Sequence, residues 1–161
     1  MNKIITINQT AKISKKLKDQ GKKIVLAGGC FDILHIGHIR FLEEAKKRGD
    51  ILFVLLESDQ TIQKLKGSNR PINPCQIRTR VLAALEPIDY IVILPPLCKN
   101  SDYDVIIGDV KPDIIATTAG DPQRSHKERQ AQLIHAKVID VTNVVLGEST
   151  TKIAQLIEKD I

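Results

Sequence analysis

The chain has 161 residues, a formal net charge of +5 at pH 7, and a composition that is 42% apolar and 27% charged. This length suits one ordinary core, so we predict a single domain over residues 1–161, with a helical lead-in at 1–21. No apolar run is long enough to cross a bilayer, and the first residues lack the pattern of a signal peptide. With only three cysteines, the expected location is the reducing cytoplasm, without a membrane partner.

The positive charge is concentrated near the N-terminus, where six of the 24 basic residues fall within positions 12–23. A nucleic-acid surface is one interpretation, but aromatic residues make up only 3% of the chain and offer no stacking platform. A solvated helix face is simpler, and an anionic small substrate would use the remaining charge equally well. We therefore predict no nucleic-acid partner.

Apolar periodicity and turn signals predict strands and helices in alternation. Thr10 is expected to cap a first helix that carries Ile13 and Leu17 and ends at Gly21. Five strands are predicted, at residues 23–27, 51–56, 90–94, 113–116 and 138–141. Helices are predicted within residues 28–48, from 59, from a cap at Asn73 to about 85, after 101, from 121 to about 136, and from 149. This order predicts an α/β fold, a Rossmann-like doubly wound parallel sheet of about five strands with helices on both faces.

The junction after the first predicted strand is the most informative segment. Residues 30–38 read Cys-Phe-Asp-Ile-Leu-His-Ile-Gly-His, directly after a glycine pair. A strand that leads through glycines to a helix N-terminus forms an anion site from backbone N–H groups and the helix dipole. His35 and His38, three residues apart, project to the same side of that helix. Ligands of doubly wound sheets bind past the carboxyl ends of the strands, where this loop lies, so we predict a phosphate site.

Two other interpretations of the histidine pair stay open. The pair could be half of a zinc site with Cys30 as a further ligand, but His126 and His135 fall in a different predicted helix and no second cluster of ligands is present. The pair could also be structural. Phosphate binding is favoured over both, and no metal-ligating residue is predicted.

The pattern Phe31-Asp32-x-x-His35-x-Gly37-His38 resembles the signature of the cytidylyltransferase-like nucleotidyltransferase superfamily. The stretch Leu65-Lys66-Gly67-x-x-Arg70-Pro71-Ile72-Asn73-Pro74, followed by Arg78, is similar to one branch of it. That branch is the heptose 1-phosphate adenylyltransferase domain of bifunctional lipopolysaccharide-heptose biosynthesis proteins. The stretch Gly147-Glu148-Ser149-Thr150-Thr151-Lys152 also resembles a phosphate-binding helix start of the family.

The resemblance implies AMP transfer from ATP to a sugar phosphate, similar to heptose 1-phosphate, with release of pyrophosphate. It implies Mg²⁺ bound with the triphosphate and a homodimer, and a phosphate beside the two histidines is expected to favour imidazolium rings. The implied catalytic residues are His35, His38 and Lys66. The implied nucleotide contacts are Gly29, Cys30, Phe31, Asp32, His35, Gly37, His38, Arg78, Ser149, Thr150 and Thr151. Arg70 and Asp121 are the implied acceptor contacts, and Asp32 is expected to orient the loop rather than bind metal.

The chain also departs from this branch. Gly28 stands where the branch has Asn, and residues 118–122 read Thr-Ala-Gly-Asp-Pro in place of Lys-Gly-Gly-Asp and an aromatic residue. Two alternatives therefore stay open. One is a cytidylyltransferase that uses CTP and a polyol phosphate such as glycerol 3-phosphate, although the Arg-Thr-Glu-Gly stretch of those enzymes is absent. The other is a nucleotide-binding protein without transfer activity.

Overall fold

The structure, a computed structural model, describes residues 2–97 and 99–143. The stretch 147–152 and the last predicted helix therefore lie outside the described residues. Within them the strands are β1 Ile4–Ile5, β2 Ile24–Gly29, β3 Ile51–Leu56, β4 Tyr90–Ile93, β5 Ile114–Thr118 and β6 Lys137–Thr142. The helices are α1 Ile7–Asp19, α2 Ile36–Lys46, α3 Asp59–Lys66, α4 Cys75–Ala83, α5 Asn100–Val110 and α6 Arg124–Leu133.

The strands form one parallel sheet in the order β1-β4-β3-β2-β5-β6. Helices cover both faces of the sheet, because the side chains that the central strands project to either face are apolar. In β2, Val25 and Ala27 pack in one core with α2 and α4, whereas Ile24 and Leu26 pack in the other with α1, α5 and α6. The predicted α/β fold with a doubly wound sheet is confirmed.

The sheet extends from β2 to both sides, and this arrangement positions the site. From β2 it builds outward through β3 and β4, then crosses back so that β5 pairs with the other edge of β2 and β6 follows. The loops after β2 and β5 therefore diverge above the sheet, and a crevice opens at its carboxyl edge between them. None of the helices in the described part of the chain is long and apolar enough to cross a membrane.

The structure corrects the N-terminal prediction. Strand β1 was not predicted, because two residues carry no periodicity, and its pairing of Ile4 with Ile91 joins distant parts of the chain. The prediction that Thr10 caps the first helix is wrong. The cap is Thr6, whose backbone N–H donates to Gln9 Oε1 at 2.9 Å, while Thr10 is buried one turn later. Its hydroxyl donates to the carbonyl of Thr6 at 3.1 Å.

Two more helix starts differ from the prediction. Helix α4 begins at Cys75 with Pro74 as its cap, because the Asn73 side chain instead donates to the backbone carbonyl of Asp32 at 2.8 Å. Helix α6 begins three residues after Asp121, because Asp121 forms a turn by accepting the backbone N–H of Gln123 at 2.8 Å.

Candidate active site

The loop between β2 and α2 is anchored by an aromatic ring. Phe31 takes a left-handed backbone conformation, with φ of 45°, and its buried ring lies in the core beside α2. A Cβ atom at Gly29 would lie 3.1 Å from that ring, so a side chain at Gly29 would push the ring aside. This close approach explains why residue 29 is a glycine, and the packed ring keeps the loop near the start of α2.

The two histidines lie at the N-terminus of α2. His35 is the N-cap residue, and its backbone N–H donates to Nδ1 of His38 at 3.4 Å. The imidazole rings lie 3.9 Å apart, centroid to centroid, and the Phe31 ring lies 5.3 Å from that of His38. Because Nδ1 of His38 accepts a hydrogen bond, the proton of the neutral ring is on Nε2, which is then a donor.

The protonation state of His38 follows from its surroundings. Burial, and then the positive charges of His35 and Lys66, lower the pKa of His38 to about 4. The ring is therefore neutral at pH 7 without a ligand. The imidazolium form expected from the sequence requires an anion beside it, which would raise this pKa again.

Asp32 and Arg70 bind each other. The Asp32 carboxylate is fully buried, and its Oδ2 accepts from Nε of Arg70 at 2.7 Å. It also accepts the backbone N–H groups of Ile72 at 3.0 Å and Asn73 at 2.9 Å. Burial alone would raise the pKa of Asp32, but these N–H groups and the Arg70 guanidinium hold it below its usual value. Asp32 thus orients the loop before α4, and neither side chain lines the cavities described below.

The contacts of Arg78 in the structure differ from the nucleotide contact implied by the sequence. Its guanidinium is fully buried and donates to the carbonyl oxygens of Cys30 at 2.6 Å, Glu57 at 2.9 Å and Asn73 at 2.9 Å. It also binds the Asp59 carboxylate at 2.6 Å. The predicted phosphate contact is therefore replaced by contacts that join the loops after β2 and β3 to the start of α4.

A cavity of about 360 Å³ lies between the loops after β2 and β5, beside α2. It brings together most of the described residues that the sequence predicts as contacts: Gly29, Cys30, Phe31, His35, Gly37, His38 and Asp121. The last of these, Asp121, comes from the loop after β5. The crevice predicted from the strand order is thus present, with the histidine pair in its wall.

A larger cavity of about 570 Å³ opens on the opposite side of the end of β2, between β3, α5 and α6. Its wall includes Glu57, whose carboxylate accepts the hydroxyl of Tyr103 at 3.0 Å. Burial raises the pKa of Glu57, although Tyr103 and Arg78 oppose this shift. Sequence reasoning missed this carboxylate, but Glu57 directly follows a fully apolar strand, and that position is a usable signal.

Lys66 is exposed at the last position of α3 and lines neither of these two cavities. Its charge nevertheless acts on the site, because it lowers the pKa of both His38 and Cys30. For the Cys30 thiol, burial is the larger effect and raises the pKa above its usual value. Among residues 2–97 and 99–143, no group of three His, Cys, Asp or Glu side chains is placed to hold a metal.

The loop after β5 carries a second charged pair. The Asp121 carboxylate accepts the Thr117 hydroxyl at 2.7 Å and the ammonium of Lys127 at 2.5 Å. Burial alone would raise the pKa of Asp121, but these two donors and the N–H of Gln123 lower it. Sequence reasoning named Asp121 and missed Lys127, because a lysine within a polar helix carries no local signal.

Comparison with known proteins gives a consistent picture. The family model described as cytidylyltransferase-like matches residues 26–119. The bifunctional protein HldE of Nitratiruptor sp. is 44% identical over 143 residues, which cover 89% of this chain and 29% of that protein. HldE of Aliarcobacter butzleri is 39% identical over 157 residues, covering 98% of this chain and 31% of that protein. The chain thus spans about three tenths of these relatives.

Solved structures agree on the fold. The lipopolysaccharide core biosynthesis protein from Thermoplasma volcanium has a TM-score of 0.62 and 28% identity, over 78% of this chain and 98% of that chain. A pantoate-beta-alanine ligase from Francisella tularensis, complexed with an ATP ligand and beta-alanine, has a TM-score of 0.66. It is 17% identical, over 96% of this chain and 76% of that chain, and so is similar in fold alone.

Proposed function

The chain belongs to the cytidylyltransferase-like family, and we propose that it transfers AMP from ATP to a sugar phosphate of the heptose 1-phosphate class, releasing pyrophosphate. The observation that carries this proposal is the pair of adjacent imidazoles at the N-terminus of α2, in the wall of a cavity at the strand-order switch. The HldE relatives are named bifunctional, and this chain matches about three tenths of their length. This partial match supports the proposal that the chain carries one of their two activities, the nucleotidyl transfer.

The nucleotide phosphates occupy the smaller cavity in this proposal. The N–H groups at the start of α2 and the positive end of its dipole favour an anion there. Nε2 of His38 donates to a phosphate oxygen, and the bound anion then favours the charged ring. Lys66 approaches from the exposed end of α3, and Ser149, Thr150 and Thr151 are retained as proposed phosphate contacts.

The acceptor sugar occupies the larger cavity. Its wall offers a carboxylate, a phenol, an amide and an ammonium, from Glu57, Tyr103, Asn100 and Lys99. These groups suit a polyhydroxylated ligand that carries a phosphate, since hydroxyls both donate and accept hydrogen bonds. Asp121 lines both cavities and is kept as a proposed acceptor contact, whereas Arg70 acts on the site only through Asp32.

The proposed chemistry is an in-line displacement. A phosphate oxygen of the acceptor forms a bond to the α-phosphorus of ATP, and the bond from that phosphorus to the bridging oxygen breaks. Pyrophosphate leaves with the electron pair, and no covalent intermediate with the enzyme forms. Such a reaction depends on positioning and charge stabilisation.

Magnesium fits this site as a partner of the triphosphate. The carboxylates of Asp32 and Asp121 each accept several protein donors, so they are not open to a metal. When bound, Mg²⁺ would be held by phosphate oxygens and water and would offset the phosphate charge. We also propose one transfer domain over residues 1–161, a homodimer, and a reducing cytoplasmic location that keeps the Cys30 and Cys75 thiols reduced.

The test is pyrophosphate release by the full chain with ATP and with CTP, each paired with heptose 1-phosphate and glycerol 3-phosphate. We expect the highest kcat/KM with ATP and heptose 1-phosphate, no release without acceptor, and loss of activity with EDTA that Mg²⁺ restores. Preference for CTP and glycerol 3-phosphate would replace this function with the cytidylyltransferase alternative. Nucleotide binding without release from any pair would instead indicate a non-catalytic protein.

A further inference from the structure

The two cavities meet at the end of β2. Five residues line both of them: Gly28, Gly29, Cys30, Asp121 and Lys127. If one cavity holds the nucleotide and the other the acceptor, the attacking oxygen and the α-phosphorus come together beside these shared residues. Two phosphate groups repel each other at this point, so the reaction requires a positive charge there. Lys127 is the cation among the five.

We propose that the Lys127 ammonium is a catalytic group that contacts both the acceptor phosphate and the α-phosphate at this junction. The inference rests on the proposed function and adds a residue to it. Lys127 keeps its proton throughout, while the oxygen–phosphorus bond forms and pyrophosphate leaves with the bonding electrons. Its role is to offset the charge of the two phosphates as they approach.

The position of Lys127 is fixed by protein contacts that leave it able to bind an anion. It lies in the first turn of α6, and its side chain is 22% exposed. Nζ donates to Asp121 Oδ2 at 2.5 Å and to Thr117 Oγ1 at 3.2 Å. An ammonium has three donors, and these two acceptors hold it in place while the third N–H is available to a phosphate oxygen. The ammonium is thus positioned before substrates bind, which is the arrangement that stabilises a transition state most strongly.

Other cations near the site do not occupy this position. Lys64 and Lys99 line only the larger cavity, and Lys66 lines neither. In the part of the chain that the structure describes, Lys127 is the one lysine or arginine in the wall of the smaller cavity. The other basic side chains of that wall are the two histidines, and His38 is neutral until an anion binds.

The test uses Lys127→Met, Lys127→Arg and, as a matched control, Lys12→Met in the full chain. A preorganised donor of this kind contributes roughly 10²–10³-fold to kcat, so we expect a loss of this size at saturating substrates for Lys127→Met. Lys127→Arg should recover part of that loss because it restores the charge. Lys12→Met removes an exposed lysine of α1 that lines neither cavity, so it should leave kcat and both KM values within about threefold.

A double variant separates a catalytic role from a structural one. Lys127→Met leaves the Asp121 carboxylate without its cation, and an unpaired, partly buried carboxylate destabilises the loop by itself. Asp121→Asn combined with Lys127→Met removes that imbalance. If the ammonium acts on substrate, the double variant stays as slow as Lys127→Met even when its melting temperature recovers. Restored turnover in the double variant would overturn the inference.

The outcomes also separate this inference from the function on which it rests. An active wild type with a fully active Lys127→Met variant overturns the Lys127 role alone. A wild type that releases no pyrophosphate with any of the four substrate pairs overturns the proposed function, and the inference with it.

Discussion

The charged side chains behind the histidine loop differ from those near the cavities in burial and in how fully protein contacts occupy them. Behind the loop, Arg78 and the Asp32–Arg70 pair are buried, and each of these charges is paired with an opposite charge within the protein. Lys127 lines both cavities with a partly exposed side chain, and Lys66 is exposed at the end of α3 outside them. Phosphate binding requires donors that are still available, so the buried groups shape the site and the exposed ones are left to bind. Residue type alone did not separate the two classes.

The largest effect should come from removing a buried charge. Arg78→Met leaves the Asp59 carboxylate and three carbonyl oxygens without their donor, which we expect to lower the free energy of unfolding by about 3–5 kcal/mol. Urea denaturation measures this change in the free energy of unfolding. The matched control is Arg80→Met on the exposed side of the same helix, with an expected change within about 0.5 kcal/mol. Equal stability of the two variants would mean that Arg78 is not a structural link.

The next effect concerns the cavity wall. His38→Ala removes the Nε2 donor and should lower kcat roughly 10²–10³-fold, because a preorganised donor to the reacting phosphate is lost. Thermal denaturation checks that the variant folds. His135→Asn is the control, since His135 is exposed and Asn tolerates its positive φ of 58°. Near-normal pyrophosphate release by His38→Ala would refute the role of this residue.

A smaller effect distinguishes the two lysines in the last turn of α3, Lys64 and Lys66. Lys66→Ala should raise the KM of ATP about tenfold, with less change for the acceptor, because it removes an exposed positive charge that attracts the triphosphate. Lys64 lines the larger cavity, so Lys64→Ala should affect the acceptor KM more. Steady-state kinetics with each substrate varied in turn measures both. Equal effects on both constants in Lys66→Ala would remove its assignment to the triphosphate.

The smallest effect is a pH dependence of stability. The folded-state pKa of His38, about 4, lies below its unfolded value of 6.5, so the unfolded chain binds more protons between these pH values. Stability should therefore fall as the pH decreases through this window and level off for this group below pH 4. Between pH 7 and 5.5 the expected loss is about 1 kcal/mol.

This loss can be assigned to one ring. We expect His38→Gln to reduce the pH slope in urea denaturation, and His126→Gln, at an exposed ring, to leave it unchanged. Saturating ATP should also reduce the slope, because a bound phosphate raises the pKa of His38. An unaltered slope in His38→Gln would show that another group is responsible.

Much of the fold was predictable because its signals are local. The all-apolar run of β3 is at the residues expected from the sequence, and the glycine pair and histidines mark a strand-to-helix junction that the structure contains. Strand β1 was not predictable, since its two residues are ordered by pairing with β4. Helix starts were displaced where side chains found distant partners, as Asn73 did with the backbone of Asp32.

The candidate site divides in the same way. The sequence by itself determined the strand alternation, the glycine-rich junction and the pair of imidazoles at a helix start, because spacing along the chain is enough to place them together. Only the tertiary structure decided that Arg78 is buried and bonded within the protein and that Asp32 forms an ion pair with Arg70. It also decided that Lys127 from α6 reaches the junction of the two cavities. Burial and pairing depend on which distant segments meet at the sheet edge, and no local pattern in the chain carries that information.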